Sequence, residues 1–238
     1  MTAEELSFPI YLTLKVCGFS FVLFLLLGTS LAFWFARSRH SIVKAVEFLV
    51  TLPLVFPPIA LGYLLLLVLG TQSPLGGFFS DVFGIKLIFS QTGIVLAAFI
   101  TGLPLFIRPV QSALKSVNLK EIEDAARLCG APPLKYFFFI TLPIIRNSIA
   151  AGLLLGLARA SGEVGITMML GGNISDRTNT LSLEIFNSVS RGDFETATFL
   201  CLLLAGSPVL YMSLCTLSNL KRLFNVLSFR CFYRQSAY

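Results

Sequence analysis

Five stretches of this chain carry almost no charge over the length of a bilayer core, and that feature limits what it can fold into more than any other. They run over residues 12–36, 48–69, 87–107, 147–170 and 196–220. A helix needs about 20 apolar residues to cross the hydrocarbon region. The third stretch is fenced by Lys86 and Arg108, the fifth by Glu195 and Lys221. The fourth is charge-free only over 147–158 and reaches spanning length when read through Arg159 and Glu163 to Leu170. Soluble domains carry about 25% charged residues, whereas this chain has 13% and is 55% hydrophobic. The expectation is an all-α membrane protein, a single transmembrane domain over residues 1–238. The first span should stay in the mature chain, since Glu4 and Glu5 precede it where a signal peptide has basic residues.

The net charge of +6 raises the question of a nucleic-acid partner, and the placement of the charges answers it. Thirteen basic residues fall on one side of the expected spans. These are Arg37, Arg39 and Lys44, then Arg108, Lys115, Lys120, Arg127, Lys135 and Arg146, then Lys221, Arg222, Arg230 and Arg234. Only Lys86, Arg177 and Arg191 fall on the other side. Such an imbalance follows the positive-inside rule and puts the N-terminus outside and the C-terminus in the cytoplasm. A lipid bilayer, not nucleic acid, explains the basic composition.

Chemistry on this chain has little to work with. His40 is the sole histidine, at a span end. The five cysteines, Cys17, Cys129, Cys201, Cys215 and Cys231, include no C-x-x-C pair, so neither a zinc site nor a disulfide framework is implied. No G-x-x-x-x-G-K-[ST] loop occurs, so ATP, if it drives this chain, must be bound by another one. No cofactor or metal and no enzymatic activity are expected.

Inside the spans, Pro53, Pro57 and Pro58 open the second, and Gly102 and Pro104 lie in the third. Backbone groups freed there must face protein or water, either as packing kinks or as pore lining. Gly152, Gly156 and their small neighbours in span four favour a close helix-helix contact. Arg159 and Glu163, four apart, share one helix face and can neutralise each other. A charge at the bilayer centre costs about 2.5–3.5 kcal/mol on insertion scales, so the pair should face the bundle interior. Two readings stand: a structural pair that fixes packing, or the lining of a gate or pathway. Residues 176–195 read as an outer loop with a short helix or re-entrant piece, leaving a sixth helix open.

The long basic loop over residues 108–146 carries Leu119, Ile122, Ala126 and Cys129 at helical spacing, with Gly130, Pro132 and Pro133 to end the helix. So short a helix needs a docking surface. Either it lies on lipid, or it seats on a partner and passes motion to the spans.

Asp124-Ala125-Ala126, then Gly130, Ile140 and Leu142-Pro143 at their spacing, resemble the EAA loop of permease subunits of bacterial ABC importers. Asp124 stands where that loop has Glu, with Glu123 beside it. A narrower resemblance runs from about Thr13 to Leu217. Leu52-Pro53-Leu54-Val55, Pro57-Pro58, Ala158-Arg159, Gly162-Glu163, Gly165, Thr167, Gly172-Asn173-Ile174 and Thr180-Leu181 are similar to molybdate permeases, with sulfate, thiosulfate and tungstate permeases nearby. Ser175-Asp176 follows where such permeases commonly have Pro-Gly. The resemblance implies a type I ABC importer permease fold in a bacterial inner membrane. It also implies partners: two copies of an ABC ATPase subunit, a periplasmic or lipoprotein molybdate-binding protein and a second copy of the chain. Glu123, Asp124, Ala125, Ala126, Gly130, Leu142 and Pro143 would then couple to the ATPase, and Arg159, Glu163, Thr167 and Asn173 would line the pathway or gate. An ion-coupled secondary transporter is the alternative of another class; it predicts inverted repeats, and none is visible.

Overall fold

A computed structural model describes residues 3–206 except 39, 71, 85, 86, 129, 131 and 133–136. The described residues form helices without strands. Helix α1 (Ala3–Leu23) runs through a π-helical turn (Phe24–Gly28) into α2 (Thr29–Arg37). Then come α3 (Ser41–Thr51), α4 (Pro58–Leu69), α5 (Pro74–Phe83), α6 (Gln91–Leu114) and α7 (Val117–Leu128). A second π turn (Phe137–Thr141) leads into α8 (Leu142–Ser161), followed by α9 (Gly165–Gly171) and α10 (Leu181–Ser190). The last described helix is α11 (Phe194–Gly206). Residues 207–220 of the expected fifth span, and the basic tail, lie outside the described residues.

Among the described residues, three helical stretches are long and apolar enough to cross a membrane: Leu6–Arg37, Gln91–Leu114 and Phe137–Ser161. The apolar helices α4 and α11 are shorter. Residues 48–69, expected as one span, divide into the end of α3, a 3-10 turn (Leu52–Leu54) and α4. The prolines explain the division, because Pro53, Pro57 and Pro58 lack the N–H groups a continuous helix needs.

Helix α6 is the centre of the bundle. Ser90 starts it, its side chain accepting the Gly93 N–H at 3.2 Å, and α8 packs along it more extensively than any other pair of helices. The two backbones touch. A Cβ on Gly102 would lie 2.4 Å from the Gly156 carbonyl oxygen, and one on Gly152 would lie 2.6 Å from that of Phe106. Small residues are what let membrane helices approach so closely. Phe24, on the π turn, stacks on Phe99 and Phe106 at 5.4 and 5.5 Å, a geometry worth about 0.5–1.5 kcal/mol per pair beyond area. Inside α6, Thr101 donates back to the Ala97 and Ala98 carbonyls at 3.0 Å, one turn before the buried Pro104.

Polar ties pin α6 at both ends. Near its start, Lys15 Nζ donates to Gln91 Oε1 at 2.8 Å. Near its finish, Gln111 Nε2 donates to Glu47 Oε1 at 2.9 Å, and Arg108 lies 3.8 Å from the same oxygen. Outward, large side chains such as Leu26, Phe48, Val55 and Leu67 stay exposed. Apolar surface of that kind is what lipid tails solvate.

Candidate functional site

Span four was expected as one helix from 147 to 170. The structure starts it earlier, at Leu142, and breaks it after Ser161; α9 takes over at Gly165. Glu163 sits in the break and explains it. Its Oε1 accepts the Ile166 N–H at 2.9 Å, satisfying one of the donors that the first turn of α9 leaves open. Its Oε2 lies 2.6 Å from Arg159. The backbone joins in: the Glu163 carbonyl accepts Thr167 Oγ1 at 2.8 Å and Ser182 Oγ at 3.0 Å. One residue thus ties the end of α8, the start of α9 and the first turn of α10.

The pair is lopsided. The Glu163 side chain is 2% exposed and that of Arg159 31%. A buried carboxylate is tolerable only when paired and hydrogen-bonded, and this one has both conditions met. The position is not mid-span. The residues around a cavity of about 10 Å³ beside Glu163 include Thr13, Ile94, Thr167 and Ser182, and Ile94 stands in the first turn of α6. Thr13 in turn donates to the Pro9 carbonyl at 2.8 Å and accepts the Leu181 N–H at 2.9 Å. A space of about 10 Å³ is the lower bound for a single water.

A second polar cluster gathers around Glu184. Glu184, in α10 and 3% exposed, binds Arg191 at 2.5 Å through Oε1. Its Oε2 accepts Asn179 Nδ2 at 2.5 Å and Asn187 Nδ2 at 3.1 Å. Burial pushes the Glu184 carboxyl up, but the hydrogen bonds from Asn179, Arg191 and Asn187 and the Arg191 charge outweigh it and hold it below the usual carboxylate range. Asn173, with φ of 49°, donates to Asn187 Oδ1 at 2.7 Å.

Of the four residues expected together in a pathway or gate, Arg159, Glu163 and Thr167 are therefore neighbours. Asn173 belongs to the Glu184 cluster instead. Thr13 and Ser182 had no sequence signal, since hydroxyl residues at span edges are common; Thr180 entered only through the family resemblance. Glu184 had one: it is the sole charge among the apolar residues of 181–189, and Arg191 follows two helical turns later.

The residues expected to couple to an ATPase sit at the opposite end of α6. Leu119 of α7 is 1% exposed and joins the core cluster with Val110, Leu114 and Ile145. Farther along α7, which also includes Glu123, Asp124, Ala125 and Leu128 are exposed and Ala126 is half-buried. Gly130 is exposed with φ of 77°, a conformation glycine adopts without steric cost. Leu142 and Pro143 form the first turn of α8, where a proline costs no hydrogen bond.

Residues 24–223 match the family described as binding-protein-dependent transport system inner membrane component. The chain is 35% identical over 203 residues to the molybdenum transport system permease protein ModB of Azotobacter vinelandii, which covers 85% of this chain and 87% of that protein. It is 35% identical over 195 residues to the protein of the same name from Escherichia coli K12, covering 82% and 85%. With the putative molybdenum transport system permease protein YvgM of Bacillus subtilis it shares 31% over 193 residues, 81% and 85% of the two chains.

Proposed function

Because this chain belongs to the family of inner membrane components of binding-protein-dependent transport systems, and is thus a membrane transport subunit, we propose that it carries molybdate across the membrane for an ATP-driven importer. A periplasmic or lipoprotein binding protein delivers the anion. Two ATPase subunits supply the drive, and two copies of this chain form the pathway. Support for the cargo comes from relatives named for molybdenum transport over more than four fifths of the chain; sulfate, thiosulfate and tungstate are the neighbouring choices.

The observation that carries the mechanism is α7. It is anchored to the core by Leu119 and leaves Asp124, Ala125 and Leu128 facing away from the bundle. A helix of 12 residues is not stable alone in water, and its free surface suits docking on an ATPase. Movement there passes to α6 and α8 through the Leu119, Val110, Leu114 and Ile145 cluster. At the other end, the small cavity beside Glu163 leaves no room for an oxyanion, so passage requires α9 and α10 to move apart from α1 and α6. That is hinge-like switching between two packed states. The break at Gly162 to Val164 supplies the hinge.

The test is reconstitution with the adjacent ATPase and binding protein. Molybdate-loaded binding protein should stimulate ATP hydrolysis by several-fold over the unloaded form, in the range of allosteric couplings of about 5–150-fold. Equal stimulation by sulfate-loaded and molybdate-loaded protein would move the cargo assignment. No stimulation by either would sink the importer reading.

A further inference from the structure

A cavity of about 620 Å³ opens at the end of the bundle where α4 finishes and α6 begins. Its volume lies in the range of small-molecule sites, about 300–1,000 Å³. The lining is of two kinds. Leu66 and Leu67, on the last turn of α4, form its apolar part with Phe89; Ser73, Ser90 and Arg177 come from the connections beyond the helix ends. Apolar wall and polar rim therefore meet at the level where the spans stop.

Arg177 supplies the charge. Its side chain is exposed and forms no ion pair among the described residues, although Asp176 precedes it. Its backbone is held: its N–H donates to the Ile174 carbonyl at 3.2 Å, and its own carbonyl accepts Gln91 Nε2 at 3.4 Å. Phe89 is half-exposed and has φ of 51°, a left-handed conformation costly for an aromatic residue. Its N–H donates to the Leu170 carbonyl at 2.7 Å, which fixes the ring's backbone beside the cavity.

We propose that this cavity binds an anionic phospholipid, with its phosphate at Arg177 and one acyl chain along Leu66, Leu67 and Phe89. An amphiphile is the ligand class that satisfies both halves of such a lining: a free small anion would leave the apolar wall wetted, and a zwitterionic lipid would bring a cationic ammonium of its own beside the guanidinium. The site is separate from the Glu163 break and does not depend on the cargo.

The experiment uses the detergent-purified transporter complex, delipidated and returned to either phosphatidylglycerol or phosphatidylcholine, with retained lipid counted by native mass spectrometry. Phosphatidylglycerol should be retained preferentially, and Arg177→Gln should lower its retention about fivefold, the order of one Arg's attraction to anionic lipid. Arg177→Lys should keep most of it. Leu67→Trp, which fills the apolar part, should lower retention while Arg177 is intact. Arg146→Gln, an exposed charge at the opposite end, should change nothing at this site. Equal retention of both lipids, an unaffected Arg177→Gln, or displacement by glycerol phosphate as readily as by the whole lipid would each overturn the proposal. So would protection of the cavity by the second copy of the chain in the lipid-free complex.

Discussion

Arg159 and Glu163 are not equivalent halves of their pair, and this inequality can be measured. Removing Arg159 strands a buried carboxylate whose one remaining donor among the described residues is the Ile166 backbone N–H. Removing Glu163 frees a guanidinium that already reaches the surface. Arg159→Gln should therefore cost about 3–5 kcal/mol of stability, as broken buried pairs do, and Glu163→Gln less, about 1–3 kcal/mol. Thermal unfolding in detergent reads both. Exchanging the two residues should not rescue either loss, because arginine at 163 cannot accept the Ile166 N–H; recovery by the exchange would show that charge pairing alone matters. The spacing of four made the pairing legible in the sequence. Which partner is buried was not legible, because that depends on Ser182 and Thr13 arriving from distant helices. Glu184 adds a pH dependence. Its folded pKa is depressed, so its contribution to stability is present above the ordinary carboxylate range and is lost as pH falls through the lowered folded value. Wild type should lose thermal stability on that descent, and Glu184→Gln should flatten the profile. An unchanged profile would show that Glu184 is not the group responsible.

At the scale of elements, patterns that depend on neighbours in sequence were the readable ones. The recurrence of Leu119, Ile122 and Ala126 announced α7, and the glycines of span four announced a close crossing. The break between α8 and α9 was hidden, since Ser161 to Val164 contain no proline and a run through the charges reads equally well as helix. What interrupts it is a side chain, Glu163, bonding to the next helix's first turn. The proposed coupling through α7 leads to a prediction about Ala126. A tryptophan there should lower the ratio of molybdate taken up to ATP hydrolysed by about tenfold, a loss near 1.4 kcal/mol of coupling. Helix content and membrane insertion should stay as they are, because Ala126 lies outside the buried cluster that Leu119 joins. A tryptophan variant with unchanged uptake per ATP would argue that α7 rests on lipid.

At the scale of the whole molecule, charge and geometry, derived independently, predict one and the same orientation. Helix α6 has 24 residues, so it is about 36 Å long at 1.5 Å per residue, and it crosses a hydrocarbon core of about 30 Å with one end in each interface. Lys15 and Gln91 tie its first turn, whereas Glu47, Arg108 and Gln111 tie its last. Among the described residues, Arg37, Lys44, Arg108, Lys115 and Arg146 gather at the second of these ends, which is also where α7 departs. Positive-inside placement would put α7 on the side where ATP is, a requirement that nothing in the α7 pattern itself imposes. Single cysteines at Ser175 and Ser116, both exposed and expected at opposite ends, separate the two orientations. In a background with the native cysteines replaced, a membrane-impermeant maleimide added to intact spheroplasts should label Ser175→Cys at once and Ser116→Cys only after lysis. The reverse pattern would turn the molecule over. It would also remove α7 from the reach of any ATPase, because a docking helix on the outer face has no nucleotide to respond to.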